Sequence, residues 1–119
     1  MQPDPVQQFL RDHKYPAHLV KEGRAGLVLR WREFVEQVEK GYTLGLEDYR
    51  NDLDIRAIIQ RAHAEDDEIH ALDARLKKTL KTAQKRVWES GKGDPFWDFG
   101  YPKNAAGDLL EGLREEGLV

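Results

Sequence analysis

The 119-residue sequence contains no cysteine. That excludes disulfides, thiolate metal sites and cysteine nucleophiles, and it fits a reducing compartment. Ser90 is the sole serine and stands at the end of a helical pattern, and threonines are few, so a hydroxyl nucleophile is disfavoured. No apolar run approaches the ~20 residues that span a bilayer, so no membrane partner is expected. Residues 1–13 are neither basic nor continuously apolar, so no signal peptide is expected, and the cytoplasm is the expected location. No segment has the alternating, β-branched pattern of a strand. Net charge is only −3, which leaves no global basic field to recruit nucleic acid or anionic lipid. Phosphate-binding glycine loops, dinucleotide fingerprints, nucleophile elbows and paired-histidine zinc motifs are all missing, and no cofactor is expected.

What is present is globular: 39% apolar and 34% charged residues in a length that suits one helical domain over residues 1–119. The strongest periodic stretch is Leu27 to Tyr42. Leu27, Trp31, Phe34, Val35, Val38 and Tyr42 fall on one helical face, with Arg30, Glu33, Gln37 and Lys40 opposite. Burying two large rings dominates core energetics, so this is the expected central helix, from about Arg24 to Lys40. Arg32–Glu36 and Glu36–Lys40 would be opposite-charge pairs one turn apart along it.

Shorter helices precede it. Asp4 suits the N-cap of a helix over Pro5 to His13. Pro16 to Glu22 reads as a second one, stopped at Gly23.

After Gly41 the pattern is ambiguous. Leu46, Tyr49 and Leu53 share one face, and Ile55, Ile58, Ile59 and Ala62 share the other. Either one helix is sandwiched on both sides, or the helix breaks near Asn51, with Asp54 in a capping arrangement. From Asp66 to Glu89 the pattern is regular. Ile69, Leu72, Leu76, Leu80, Ala83 and Val87 span eighteen residues in five steps, the 3.6-residue period of a straight helix. Residues 91–104 carry Phe96, Trp97, Phe99 and Tyr101 among glycines and prolines, and are expected to lie across one end of the core. A weak helix from Ala105 to Glu116 closes the sequence, with a C-terminal end expected to fray because its glutamates oppose the helix dipole. The expected fold is all-α: a small bundle of three main helices plus short N- and C-terminal helices, joined by short loops between antiparallel neighbours.

Four groups could carry function. The densest polar run is Tyr49, Asn51, Asp52, Asp54 and Arg56, with Glu47 and Asp48 just before it. Paired carboxylates could share a proton or hold a cation. The plainer interpretation is an acidic helix start with an Asp52–Arg56 pair. Partial burial of that pair is expected, because Leu53 and Ile55 point to opposite faces. His63, Asp67 and His70 would share a side of one continuous helix and suit zinc or iron. Ala64 to Asp67 reads as a helix start that would separate them, and the second histidine motif of a di-iron bundle is missing. The basic stretch Lys77, Lys78, Lys81, Lys85 and Arg86 could meet phosphates. It is also what a helix dipole favours in its C-terminal half. Finally, Trp97 and Tyr101, if exposed, would be interface anchors.

Together these favour a small protein that binds another protein, as an adaptor or a partner-masking chain of the antitoxin or immunity kind. A helical metal-binding protein or hydrolase using Asp52, Asp54, His63, Asp67 and His70 is the alternative. Weak nucleic-acid binding through the basic face is the least favoured. The oligomeric state is not legible.

Overall fold

The computed structural model describes residues 4–81 and 101–117. Its elements, in chain order, are α1 (Pro5–Asp12), α2 (Ala17–Lys40), α3 (Leu46–Arg61), α4 (Asp67–Thr79), a two-residue strand β1 (Leu80–Lys81), its partner β2 (Tyr101–Pro102), and α5 (Gly107–Glu115). The architecture is a small all-α bundle in which α2, α3 and α4 are the main helices.

Local chemistry fixes the ends of α1. The Asp4 side chain accepts a hydrogen bond from the Val6 backbone N–H at 3.0 Å, and Pro5 opens the helix. At the other end Tyr15 N–H reaches back to Leu10 C=O at 3.0 Å, and Lys14 takes a left-handed φ of 59°. That is the Schellman way of satisfying the last carbonyls.

The expected stop at Gly23 is real as a kink. Gly23 has φ 61° inside α2, where the two helical segments meet. A Cβ there would lie 2.9 Å from Gln7 Cγ, so the bend also brings α1 against α2.

The central face of α2 is buried as its spacing predicts. Leu27, Trp31, Val35 and Val38 are inaccessible, and Phe34 and Tyr42 nearly so. Trp31, Phe34, Tyr42 and Tyr49 form one aromatic cluster with adjacent ring centroids 5.2–5.9 Å apart.

Helix α3 is continuous through Asn51, so the expected alternative of a break there is wrong. Tertiary packing explains why. Leu46, Tyr49 and Leu53 are buried on one side, Ile58 and Ile59 on the other. The helix is sandwiched, and apolar contacts on both faces remove any reason to break.

Helix α4 is shorter than its sequence pattern. Ile69, Leu72, Leu76 and Leu80 are buried as expected, but the helix ends at Thr79 rather than running to Glu89. Leu80 is extended (φ −91°, ψ 144°) and pairs with Pro102, while Thr79 C=O accepts from Lys103 N–H at 2.9 Å. A short antiparallel ladder, which no alternation foretold, takes the carbonyl that the next helical turn would have used. Ala83, Val87, Phe96, Trp97 and Phe99 lie outside the described residues, and so does the packing expected of the aromatic loop. Tyr101 is buried on β2.

Ion pairs show the relative helix directions. Arg24 meets Asp66, Arg32 meets Glu68 at 2.7 Å, and Glu39 meets Arg75 at 2.6 Å, so α2 and α4 ascend together. Arg32, expected to pair with Glu36 along its own helix, pairs with Glu68 on α4 instead. Arg50 holds Glu116, and Leu46 packs on Gly112, one turn earlier in both helices. Helix α5 therefore runs parallel to α3 there. Its end, expected to fray, is tied down instead by Arg50, whose hydrogen bond lowers the Glu116 pKa. Among the described residues, no helix is long and apolar enough to cross a membrane.

Candidate functional site

The polar run in α3 separates into two places. The first is internal. Arg56 is 5% exposed, on the side of α3 that faces α4. Its Nε donates to both oxygens of Asp73 at 3.1 and 3.2 Å. Its Nη2 donates to Asp73 Oδ2 at 3.0 Å and to Glu65 Oε2 at 2.8 Å. Asp73 Oδ1 also accepts from the Trp31 indole N–H at 3.0 Å. Burial alone would lower the Arg56 pKa, but the hydrogen bonds to Asp73 and Glu65 outweigh it and the pKa is raised. Arg56 in turn holds the Glu65 carboxyl below its ordinary value. A guanidinium in this setting remains charged, so this is a clamp between helices rather than a proton-transfer group.

The burial expected for Arg56 is therefore present, but its expected partner is wrong. Asp52 makes no pair with Arg56. It accepts a 2.6 Å hydrogen bond from the Tyr42 hydroxyl. The four-residue spacing allowed an Asp52–Arg56 contact, but Asp73 and Glu65 present two carboxylates to Arg56 where the helices pack.

The second place is a cleft of about 190 Å³ between α2 and α3, lined by Arg30, Glu33, Phe34, Gln37, Asn51, Asp52 and Ile55. Asp52 is half-buried at its edge. Burial raises its pKa, against the lowering effect of the Tyr42 hydrogen bond, and the charge of Asp48 adds to the rise. Burial and the bond to Asp52 push the Tyr42 hydroxyl far above the ordinary tyrosine value. Glu33, Gln37 and Asn51 make no side-chain hydrogen bond or ion pair to any described residue. Arg30 donates from Nη2 to Glu22 at 3.0 Å, and its buried Nε has no partner among the described residues. Leu29, one helical turn before Glu33, is 49% exposed.

The remaining candidates are scattered. Tyr49 is inaccessible in the aromatic cluster, and burial raises its pKa. Asp54 is exposed, two residues from Asp52 and so on another side of α3. Tyr101 is buried, and Trp97 lies outside the described residues. His63, Asp67 and His70 do not share a helix. His63 takes the left-handed position (φ 54°) that ends α3, with Ala64 N–H bonded to Ile59 C=O at 2.9 Å. Asp67 begins α4, one residue after the Asp66 N-cap. His70 is exposed and 3.3 Å from Glu65. Among the described residues, no three His, Asp or Glu side chains converge as a metal site. Lys77 and Lys78 are exposed in the last turn of α4, and Lys85 and Arg86 lie outside the described residues.

Sequence reasoning missed Asp73, Glu65 and Tyr42 as partners, and Arg30, Glu33 and Gln37 as cleft walls. Asp73 had a readable signal: it stands four residues after Ile69 and three before Leu76, a charge on a buried stripe. Glu33 and Gln37 had none, because an open cleft and a solvated helix face are written in the same residues.

The chain matches no family model, and no similar protein was found among curated proteins or solved structures.

Proposed function

We propose that this chain acts by binding another protein, as an adaptor or partner-masking chain in the cytoplasm, and that the α2–α3 cleft is part of the binding face. One observation carries this reading. Arg56, Asp73 and Glu65 are engaged in holding helices together, whereas Glu33, Gln37 and Asn51 line a cleft with no side-chain partner among the described residues. Ile55 supplies apolar surface at the cleft, and Leu29, one turn before Glu33 on α2, is an exposed apolar side chain. Apolar surface ringed by polar groups is the usual anatomy of a protein interface. The catalytic alternative loses support, because Asp52 and Asp54 diverge and His63, Asp67 and His70 are dispersed over a helix end, a helix start and an exposed turn.

The test is affinity capture with the wild-type chain and with a Glu33→Lys/Asn51→Arg double variant whose circular dichroism and unfolding midpoint match wild type. The reading expects a protein retained in stoichiometric amount by wild type and lost from the variant. A protein retained equally by both would put the interface elsewhere, and no retained protein would end the reading.

A further inference from the structure

The chemistry of the cleft narrows what it can take. Its volume of about 190 Å³ is small. Sites for small organic ligands usually run to roughly 300–1,000 Å³, so this one suits a single long side chain. Two carboxylates line it, Glu33 and Asp52, and the charge of Asp48 reaches Asp52. The one cation on its wall, Arg30, is already held by Glu22. An anionic group would therefore meet uncompensated negative charge. A bare divalent cation fits poorly, since calcium takes about 6–8 oxygen ligands and one Asp52 oxygen is committed to Tyr42. Gln37 and Asn51 add amide carbonyls that accept hydrogen bonds, and Ile55 adds apolar surface. Negatively charged acceptors beside the apolar Ile55 match a long cationic side chain, which lays its methylene stem on apolar surface and directs its charged head to acceptors.

Resting on the protein-binding reading above, we infer that the α2–α3 cleft receives one arginine or lysine side chain from the surface of the partner protein, its stem against Ile55 and its head between Glu33 and Asp52. The rest of the interface supplies area, and this contact supplies charge selection. Arginine is preferred over lysine, because a planar fork can engage a carboxylate and an amide carbonyl together.

The experiment is a two-dimensional NMR titration of the whole chain with N-acetyl-arginine amide. The isosteric but neutral N-acetyl-citrulline amide is titrated in parallel. Saturable binding in the range of about 1–10 mM is expected for the arginine probe, with shifts centred on Gln37, Asn51, Asp52 and Ile55. Citrulline amide should bind about 3- to 5-fold more weakly, and Glu33→Gln and Asp52→Asn should each weaken the arginine probe by a similar factor. Asp52→Asn keeps an oxygen for the Tyr42 hydroxyl, and Glu33 has no partner among the described residues to lose, so both variants should stay folded. Equal binding of the two probes, shifts centred elsewhere, or no saturation overturns the inference. Failure here is separable from failure of the broader reading. A partner that is lost from the Glu33→Lys/Asn51→Arg variant but retained by Glu33→Gln and Asp52→Asn would keep the binding face and remove the cationic contact.

Discussion

Arg56 on α3 grips Asp73 on α4 through both of that residue's oxygens, and the same carboxylate accepts the indole N–H of Trp31 on α2. One aspartate thus joins the three main helices. Removing Asp73 leaves Arg56 with Glu65 alone and takes the indole N–H's acceptor away, and breaking a buried ion pair in this way costs about 3–5 kcal/mol. Asp73→Ala should lower the unfolding free energy by that amount. The Arg56→Ala/Asp73→Ala double variant should cost clearly less than the two single variants added together, with a coupling above about 1 kcal/mol in a urea-unfolding cycle.

Trp31 separates packing from hydrogen bonding. The side chain is inaccessible and stacks on Phe34 at 5.2 Å. Trp31→Ala should cost about 3–5 kcal/mol. Trp31→Phe keeps much of the ring burial and leaves Asp73 with Arg56 as its donor, so its cost should be well below that of alanine. Equal losses for the two would mean that the indole N–H, not ring packing, dominates.

The fold was legible where a side chain's role is set by its own helix. The periodicity of Leu27 to Tyr42, the cap at Asp4 and the kink at Gly23 all survive in the structure because each depends on residues within a turn or two. Misread features depend on distant partners. Leu80 leaves the helical stripe because Pro102 pairs with it, twenty-two residues away. Arg56 ignores Asp52 because α4 brings Asp73. The candidate site was legible in part. Asn51 and Asp52 line the cleft, but its other wall comes from the face of α2 that reads as ordinary solvated helix.

Gly112 tests the seat of α5. Alanine is favoured over glycine in a helix interior by roughly 0.8–1 kcal/mol. Here an added Cβ would fall 2.9 Å from Leu46 Cβ, a buried neighbour at the first residue of α3. Overpacking typically costs about 1–3 kcal/mol. Gly112→Ala should therefore be a net destabilisation of up to about 2 kcal/mol by thermal unfolding, whereas an uncrowded site would show a gain.

Glu65 and Asp52 should respond to pH in opposite senses. The hydrogen bond to Arg56 depresses the Glu65 pKa, so its contribution is present above the ordinary value of 4.5 and is lost as pH falls through the depressed folded value. Glu65→Gln should be less stable than wild type at pH 7, with the gap closing under acid. Burial raises the Asp52 pKa, so its contribution is present below 3.8 and is lost as pH rises through the raised folded value. Asp52→Asn should match wild type near pH 3 and exceed it at pH 7. Unfolding curves collected from pH 3 to pH 7 check both slopes.

Arg56 and Asp73 hold the bundle, whereas Glu33, Gln37 and Asn51 have no side-chain partner among the described residues and belong to the proposed binding face. Urea unfolding of single alanine variants across both sets tests this division of labour most directly. The predicted result is a loss of about 3 kcal/mol or more for Asp73→Ala and changes within about 0.5 kcal/mol for Glu33→Ala, Gln37→Ala and Asn51→Ala. A cleft variant that costs more than about 1 kcal/mol, or an Asp73→Ala variant that costs less, would contradict it.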